Sequence, residues 1–317
     1  MNATTYTPPL LFRNPHINTI YTAIFKKTTA ITYQRERIKT LDQDFLDLDF
    51  SLVDGSTIVL IIHGLEGSSE SSYVRRFTHS LNEEGYNVCA MNLRSCSGEL
   101  NTLFSAYHSG KTDDVEAVID YLYTTKKYNQ IHIIGFSLGG NLCLKYMGEQ
   151  QHPYIKSALA VSVPCDLRGS SIQMSQAKNK IYATGIMNSL KNKLKQKVAL
   201  CPTMGIEMKD IQKIKSFHDF DNLYTAPFHG FKDADDYYEK NSSKYFIKNI
   251  KTPTLLINAL DDPFLSESCY PYHESKENAF FTFEYPNYGG HVGFYAHAKT
   301  WIEKRAIDFL KFQNQVK

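Results

Sequence analysis

Short, unbroken apolar runs are what most limit the fold open to this chain. Residues 57–62 read TIVLII, 87–93 NVCAMNL, 131–134 IHII, 158–163 ALAVSV and 254–258 TLLIN. A run that is apolar at nearly every position suits a strand covered on both faces. Segments with helical spacing lie among them, at 71–84, 112–123, 141–150 and 298–312. In 112–123, Val115, Val118, Ile119 and Leu122 fall on one face, with Thr112 as the expected N-cap and Asp113, Asp114 and Glu116 in the first turn. Buried strands alternating with helices predict right-handed crossovers, hence an α/β fold with a mostly parallel central sheet and helices on both faces. A final strand is expected at 280–285. Residues 31–39 and 45–50 add an antiparallel hairpin at one edge. In the second of these, Leu46, Leu48 and Phe50 alternate with Asp47 and Asp49, which predicts one wet face.

The rhythm breaks once. Between 164 and 251 no segment has strand character, and a structureless loop of that length is disfavoured in a compact domain. A helical insertion over the sheet, acting as a lid, is the expectation. Within it Lys191, Lys193, Lys195 and Lys197 alternate with other residues and read as a solvated surface. At the start, Pro8, Pro9 and Pro15 predict an irregular arm. The organisation expected is one domain over 1–317, with an arm at 1–30 and the insertion at 164–251.

With 317 residues, 42% of them hydrophobic, the chain can bury a sizeable core. A formal net charge of +2 leaves no strongly basic footprint, which argues against a nucleic-acid partner. Cys89, Cys96, Cys143, Cys165, Cys201 and Cys269 are scattered without a CxxC pair, as expected of reduced thiols. No stretch is patterned as a signal peptide, and the longest apolar run, 58–62, is far short of a membrane span. No integral membrane segment and a cytoplasmic location are therefore expected.

The chemistry concentrates at Gly135-Phe136-Ser137-Leu138-Gly139. On its own, G-x-S-x-G is a weak signal. Here it follows a buried strand and precedes a helix, the setting in which a sharp turn lifts a serine hydroxyl out at the carboxyl edge of a sheet. A serine nucleophile needs a base oriented by a third group. Candidates follow in the order acid, then histidine: Asp261-Asp262-Pro263 after strand 254–258, and His291 in GGHVG after strand 280–285. Asp262 is preferred over Asp261 because it sits further into the turn. An oxyanion needs backbone donors. Leu138, next after the serine, and Leu65, in the HGLEG loop after strand 57–62, are the candidates, with His63 bracing that loop. The clusters at 94–99 and 107–110 are read first as structural loops bridged by Arg94, Glu99, Asp113 and Asp114, with a pocket lining as the alternative. No histidine spacing suggests a metal, and no cofactor is called for.

The segments HGLEGSSESSY (63–73), NLRSCSGELN (92–101), YHSGKTDD (107–114), GFSLGGNLCLKYMGE (135–149), PTLLINALDDPF (253–264) and GGHVGF (289–294), with the opening PHINTIY (15–21), resemble those of one α/β-hydrolase family. It is the YheT-like, abhydrolase-domain group of esterases and lipases, which also holds the yeast medium-chain ester synthases. The resemblance covers nearly the whole chain. It implies the α/β-hydrolase fold, a triad of Ser137, Asp262 and His291, and esterase or lipase activity on a small acyl ester. Ser95 departs from the glycine usual in that family. Two other functions remain compatible with the same residues. One is an acyltransferase that prefers alcohols to water. The other is a non-catalytic ligand receptor built on the fold.

Overall fold

The apolar runs become the middle of one twisted sheet. The computed structural model describes residues 6–26, 30–297 and 299–315. In chain order the elements are α1 (Pro15–Ile24), β1 (Gln34–Lys39), β2 (Phe45–Ser51), β3 (Ile58–Ile62), α2 (Ser72–Glu83), β4 (Asn87–Asn92), α3 (Thr112–Asp120), β5 (Ile131–Phe136), α4 (Leu138–Glu149) and β6 (Ile155–Val161). An insertion follows, with α5 (Leu167–Met174), α6 (Lys180–Leu200), α7 (Met208–Lys213), α8 (Phe217–Phe220), α9 (Ala226–Phe228) and α10 (Ala234–Asn241). The chain then returns through β7 (Thr254–Ile257), α11 (Glu274–Glu277), β8 (Phe281–Glu284) and α12 (Trp301–Gln315). The sequence start of the last helix, Ala298, lies outside the described residues, as do residues 1–5 and 27–29 of the arm.

Among the described residues, eight strands run in the order β1-β2-β4-β3-β5-β6-β7-β8. The pairs β1–β2 and β2–β4 are antiparallel and the rest are parallel. Alternate side chains of β3 enter separate cores, which explains why every position is apolar. Ile58, Leu60 and Ile62 join Val115, Val118 and Leu142 from α3 and α4. Val59 and Ile61 join Phe77, Leu81, Ala306 and Leu310 from α2 and α12 on the other face. Strands β4 and β5 lie on opposite sides of β3, so the winding reverses there. In open α/β sheets a crevice forms at the carboxyl ends of the strands beside such a reversal.

Four expectations need correction. First, the described part of the arm is irregular over residues 6–9, but Pro15 opens α1, and the Asn14 side chain accepts from the amides of His16 and Ile17. Proline is well placed at the first helical position, where its missing N–H costs nothing. Second, β2 has no wet face: Asp47 is 2% and Asp49 1% exposed. Each accepts two bonds from one guanidinium, Asp47 from Arg37 at 2.7 and 2.8 Å and Asp49 from Arg35 at 2.8 and 2.7 Å. Period-two spacing separates two faces but does not distinguish water from an ion pair.

Third, Thr112 is the first helical residue of α3, not its cap, and its hydroxyl donates to Glu149 Oε2 at 2.6 Å. Fourth, Lys193 and Lys197 of α6 do not belong to a solvated face. Lys197 is 3% exposed and donates to the carbonyls of Leu103 and Asn101 at 2.5 and 3.2 Å. Lys193, one helical turn earlier, donates to Glu66 Oε1 at 3.0 Å. Lysines four apart share a helix face, and this face turns toward the loops that follow β3 and β4. Arg94 is also deeply placed, 1% exposed. It pairs with Asp114 at 2.6 Å and Asp42 at 2.8 Å, whereas Glu99 pairs with Arg37. All six cysteines are free thiols.

Candidate active site

Ser137 occupies the turn between β5 and α4 with φ 52° and ψ −118°, a conformation that costs a residue with a side chain on the order of 1–3 kcal/mol. The surroundings enforce it. A Cβ on Gly139 would stand 2.3 Å from the Ile62 carbonyl and 2.4 Å from that of His63, so only glycine lets α4 start this close to β3. The Ser137 amide donates to the Val161 carbonyl at 2.9 Å, fastening the turn to β6.

His291 arrives on the loop after β8. Its Nε2 stands 3.0 Å from Ser137 Oγ and its Nδ1 2.9 Å from Asp262 Oδ2. With a carboxylate on Nδ1, that nitrogen carries the proton and Nε2 is left to accept from the serine hydroxyl. The imidazole and the Asp262 carboxylate are both nearly sealed from water, at 10% and 0% exposure. Asp262 also accepts from the Phe264 amide at 2.9 Å, and the Phe264 ring stacks on the imidazole at 4.1 Å. The structure thus brings Ser137, His291 and Asp262 together. Asp261 turns elsewhere, accepting from the Gly290 amide at 2.9 Å. Burial, with the charge of Asp262 beside it, pushes its carboxyl up to about 6.

The histidine loop is held by residues that the sequence did not single out. The His291 amide donates to Thr19 Oγ1 at 2.9 Å, and the Val292 amide to Ser162 Oγ at 2.9 Å. At Gly290, φ is 57°, and a Cβ there would meet Thr19 Oγ1 at 2.5 Å. Helix α1 is therefore part of the site's frame. Its sequence, PHINTIY, was informative only as a resemblance, because a threonine at that position carries no chemical pattern of its own.

The HGLEG loop leaves β3 beside the serine: a Cβ on Gly64 would be 3.2 Å from that of Ser137. Its amides are assigned one by one. Gly64 donates to the Tyr73 hydroxyl at 2.8 Å, Glu66 to the Tyr107 hydroxyl at 2.9 Å and Gly67 to the Gly64 carbonyl at 3.0 Å. Among the described residues, the Leu65 amide has no acceptor in the protein. The Leu138 amide opens α4 and so has no helical partner. Glu66 takes φ 57°, and its carboxylate accepts from Tyr107, from Lys193 and from Ser189 of α6. His63 is buried, bonded to the Gly64 carbonyl at 2.7 Å and the Leu93 amide at 3.0 Å. Burial lowers it to about 4, so it stays neutral and braces the two loops.

Over these groups lies a cavity of about 320 Å³, lined by Leu65, Leu138, Leu167, Met174, Ile186, Leu190 and Phe264 among others. Helices α5 and α6 supply Leu167, Met174, Ile186 and Leu190 of that wall. Ser95, which also lines it, has φ 62°, the conformation that favours glycine, and its hydroxyl accepts from the Asn101 amide at 3.1 Å. No group of three metal-ligating side chains occurs among the described residues.

The family model described as the alpha/beta hydrolase fold matches residues 57–298. The chain belongs to this α/β-hydrolase family. The motif resemblance is borne out by YheT of Escherichia coli (strain K12), which bears an esterase name. It is 31% identical over 309 residues, covering 94% of this chain and 91% of YheT. A monoacylglycerol lipase of Saccharomyces cerevisiae (strain ATCC 204508 / S288c) is 29% identical over 81% of this chain and 60% of its own. Phospholipase ABHD3 of Bos taurus is 28% identical, over 92% and 73%. The α/β-hydrolase fold recurs in the solved structure of the Pyrococcus furiosus esterase Pf2001. There the TM-score is 0.63 and the identity 18%, over 99% of both chains.

Proposed function

We propose that this α/β-hydrolase cleaves carboxylic esters through a covalent acyl-enzyme on Ser137. The observation that carries this reading is the unbroken line of hydrogen bonds from Ser137 Oγ through His291 to Asp262. His291 takes the hydroxyl proton as Ser137 attacks the ester carbonyl, and Asp262 fixes the imidazole's tautomer and offsets its developing charge. The amides of Leu65 and Leu138 receive the oxyanion. His291 then returns the proton to the departing alcohol. Water, activated by the same base, attacks the acyl-enzyme and frees the acid. The apolar cavity suits short- to medium-chain acyl groups, including acylglycerols. The helical insertion 164–251 serves as its lid.

Hydrolysis of p-nitrophenyl esters from acetate to palmitate, wild type beside Ser137→Ala, tests the proposal. The expected result is a rate lowered on the order of 10⁶-fold in the variant, as for other serine triads. Fluorophosphonate labelling should occur in the wild type alone. A wild type that neither hydrolyses any ester in the series nor takes the label would overturn it.

A further inference from the structure

Two stretches that frame the cavity have an unusual composition. Residues 1–35 carry four Lys and Arg, and residues 167–206 carry seven. Neither contains an Asp or Glu, so all 33 acidic residues fall elsewhere in a chain whose overall charge is only +2. The two stretches meet in space. His16 of α1 lies 3.1 Å from the Tyr182 hydroxyl at the start of α6, and their rings stack at 5.8 Å. Tyr182 packs against Phe264, which stacks on His291. Thr19 and Ala23 of α1 and Ile186 of α6 line the cavity itself.

The outer side of this region is studded with large apolar residues. Leu10, Leu11, Ile24, Phe25 and Ile181 are between 63% and 80% exposed. Water-facing leucine and phenylalanine are ordinary when scattered singly. Here they fall in the turn before α1, at its C-terminal end and at the start of α6. Arg13, Lys178 and Lys180 stand exposed among them. Lys193 and Lys197 point inward and Arg168 pairs with Asp235, so those cations are engaged within the protein.

We infer that this face, formed by residues 10–25 and the beginning of α6, docks onto an anionic lipid bilayer. Apolar side chains flanked by cations, on stretches that carry no acidic residue, match a surface of acyl chains beneath negative headgroups. A second copy of the chain would bring one positive face against another. No helix among the described residues is long and apolar enough to cross a membrane, so the contact is with the bilayer surface. Docked this way, the cavity opens beside the lipid.

Flotation of the full-length protein with vesicles of phosphatidylcholine, with and without phosphatidylglycerol, tests the inference without any catalytic readout. Binding is expected only with phosphatidylglycerol, weakening as salt is raised. Two double variants, Leu11→Glu with Phe25→Glu and Arg13→Glu with Lys180→Glu, should each lose affinity by about tenfold at least. Wild-type thermal melts by circular dichroism would show that both are folded. Three results would overturn the inference: no flotation on anionic vesicles, equal flotation of folded variants and wild type, or a concentration-dependent dimer by light scattering that the variants dissociate.

Discussion

Asp261 and Asp262 are neighbours in the chain, yet their carboxylates serve different loops. Asp262 reaches the imidazole at 2.9 Å, whereas Asp261 holds the Gly290 amide. Asp262→Asn is expected to lower kcat about 10⁴-fold by favouring the wrong imidazole tautomer. Asp261→Asn keeps an acceptor for Gly290 and should retain most activity, so side-by-side ester kinetics separate the two. Gly139→Ala should fail differently. Its methyl would collide with two backbone carbonyls of the β3 end, and little soluble, cooperatively melting protein is expected. At this scale the sequence was readable where chemistry follows from spacing, as at Ser137 and His291. It gave only a slight preference between the aspartates, because one residue's difference along a turn does not say which way a side chain points. Glu66, Tyr107 and Thr19 were unreadable for a related reason: each acts through contacts made 41 or more residues away.

Two helices extend the candidate site beyond its reacting atoms. Helix α1 supplies the Thr19 hydroxyl to the His291 amide, and α6 supplies Ser189 and Lys193 to Glu66, next to the Leu65 amide. Thr19→Val keeps the shape and removes the acceptor. It should cut kcat about tenfold with little change in KM, since misplacing a reacting group slows chemistry more than binding. Lys193→Met should act on the HGLEG loop in the same sense. A fall in kcat of about tenfold is expected, which is less than the loss of an oxyanion donor itself. The buried strands could be read from sequence because both faces demand apolar residues. Helix α1 could not, because its proline looked like a breaker until Asn14 was seen to cap it. The lysine-rich helix misled because charge was taken as a sign of water.

Across the whole molecule, buried histidines set the response to acid. His63, His132 and His229 are each lowered to about 4 by burial, and His108 is also pushed well below its ordinary value. The unfolded chain binds protons at these four sites from pH 6.5 downward, which the native state refuses. Asp221 and Asp261, both raised to about 6 by burial, and Asp114, also raised, work in the opposite direction, taking up protons when folded that they release when unfolded. The four histidines outnumber the three carboxyls, so unfolding should take up protons on balance at pH 5, and stability falls as the pH drops below 6.5. Urea melts at pH 7.5, 6 and 5 would show this, with a steeper fall in Asp261→Asn. Contacts at this scale also span the chain: Thr19 meets His291 across 272 residues, and Tyr6 meets Tyr295 across 289. During synthesis the serine turn and α1 therefore emerge long before the loop they await. On the proposed function, a nascent chain stalled ahead of that loop carries Ser137 without its base, so reactivity arrives only once His291 has left the ribosome.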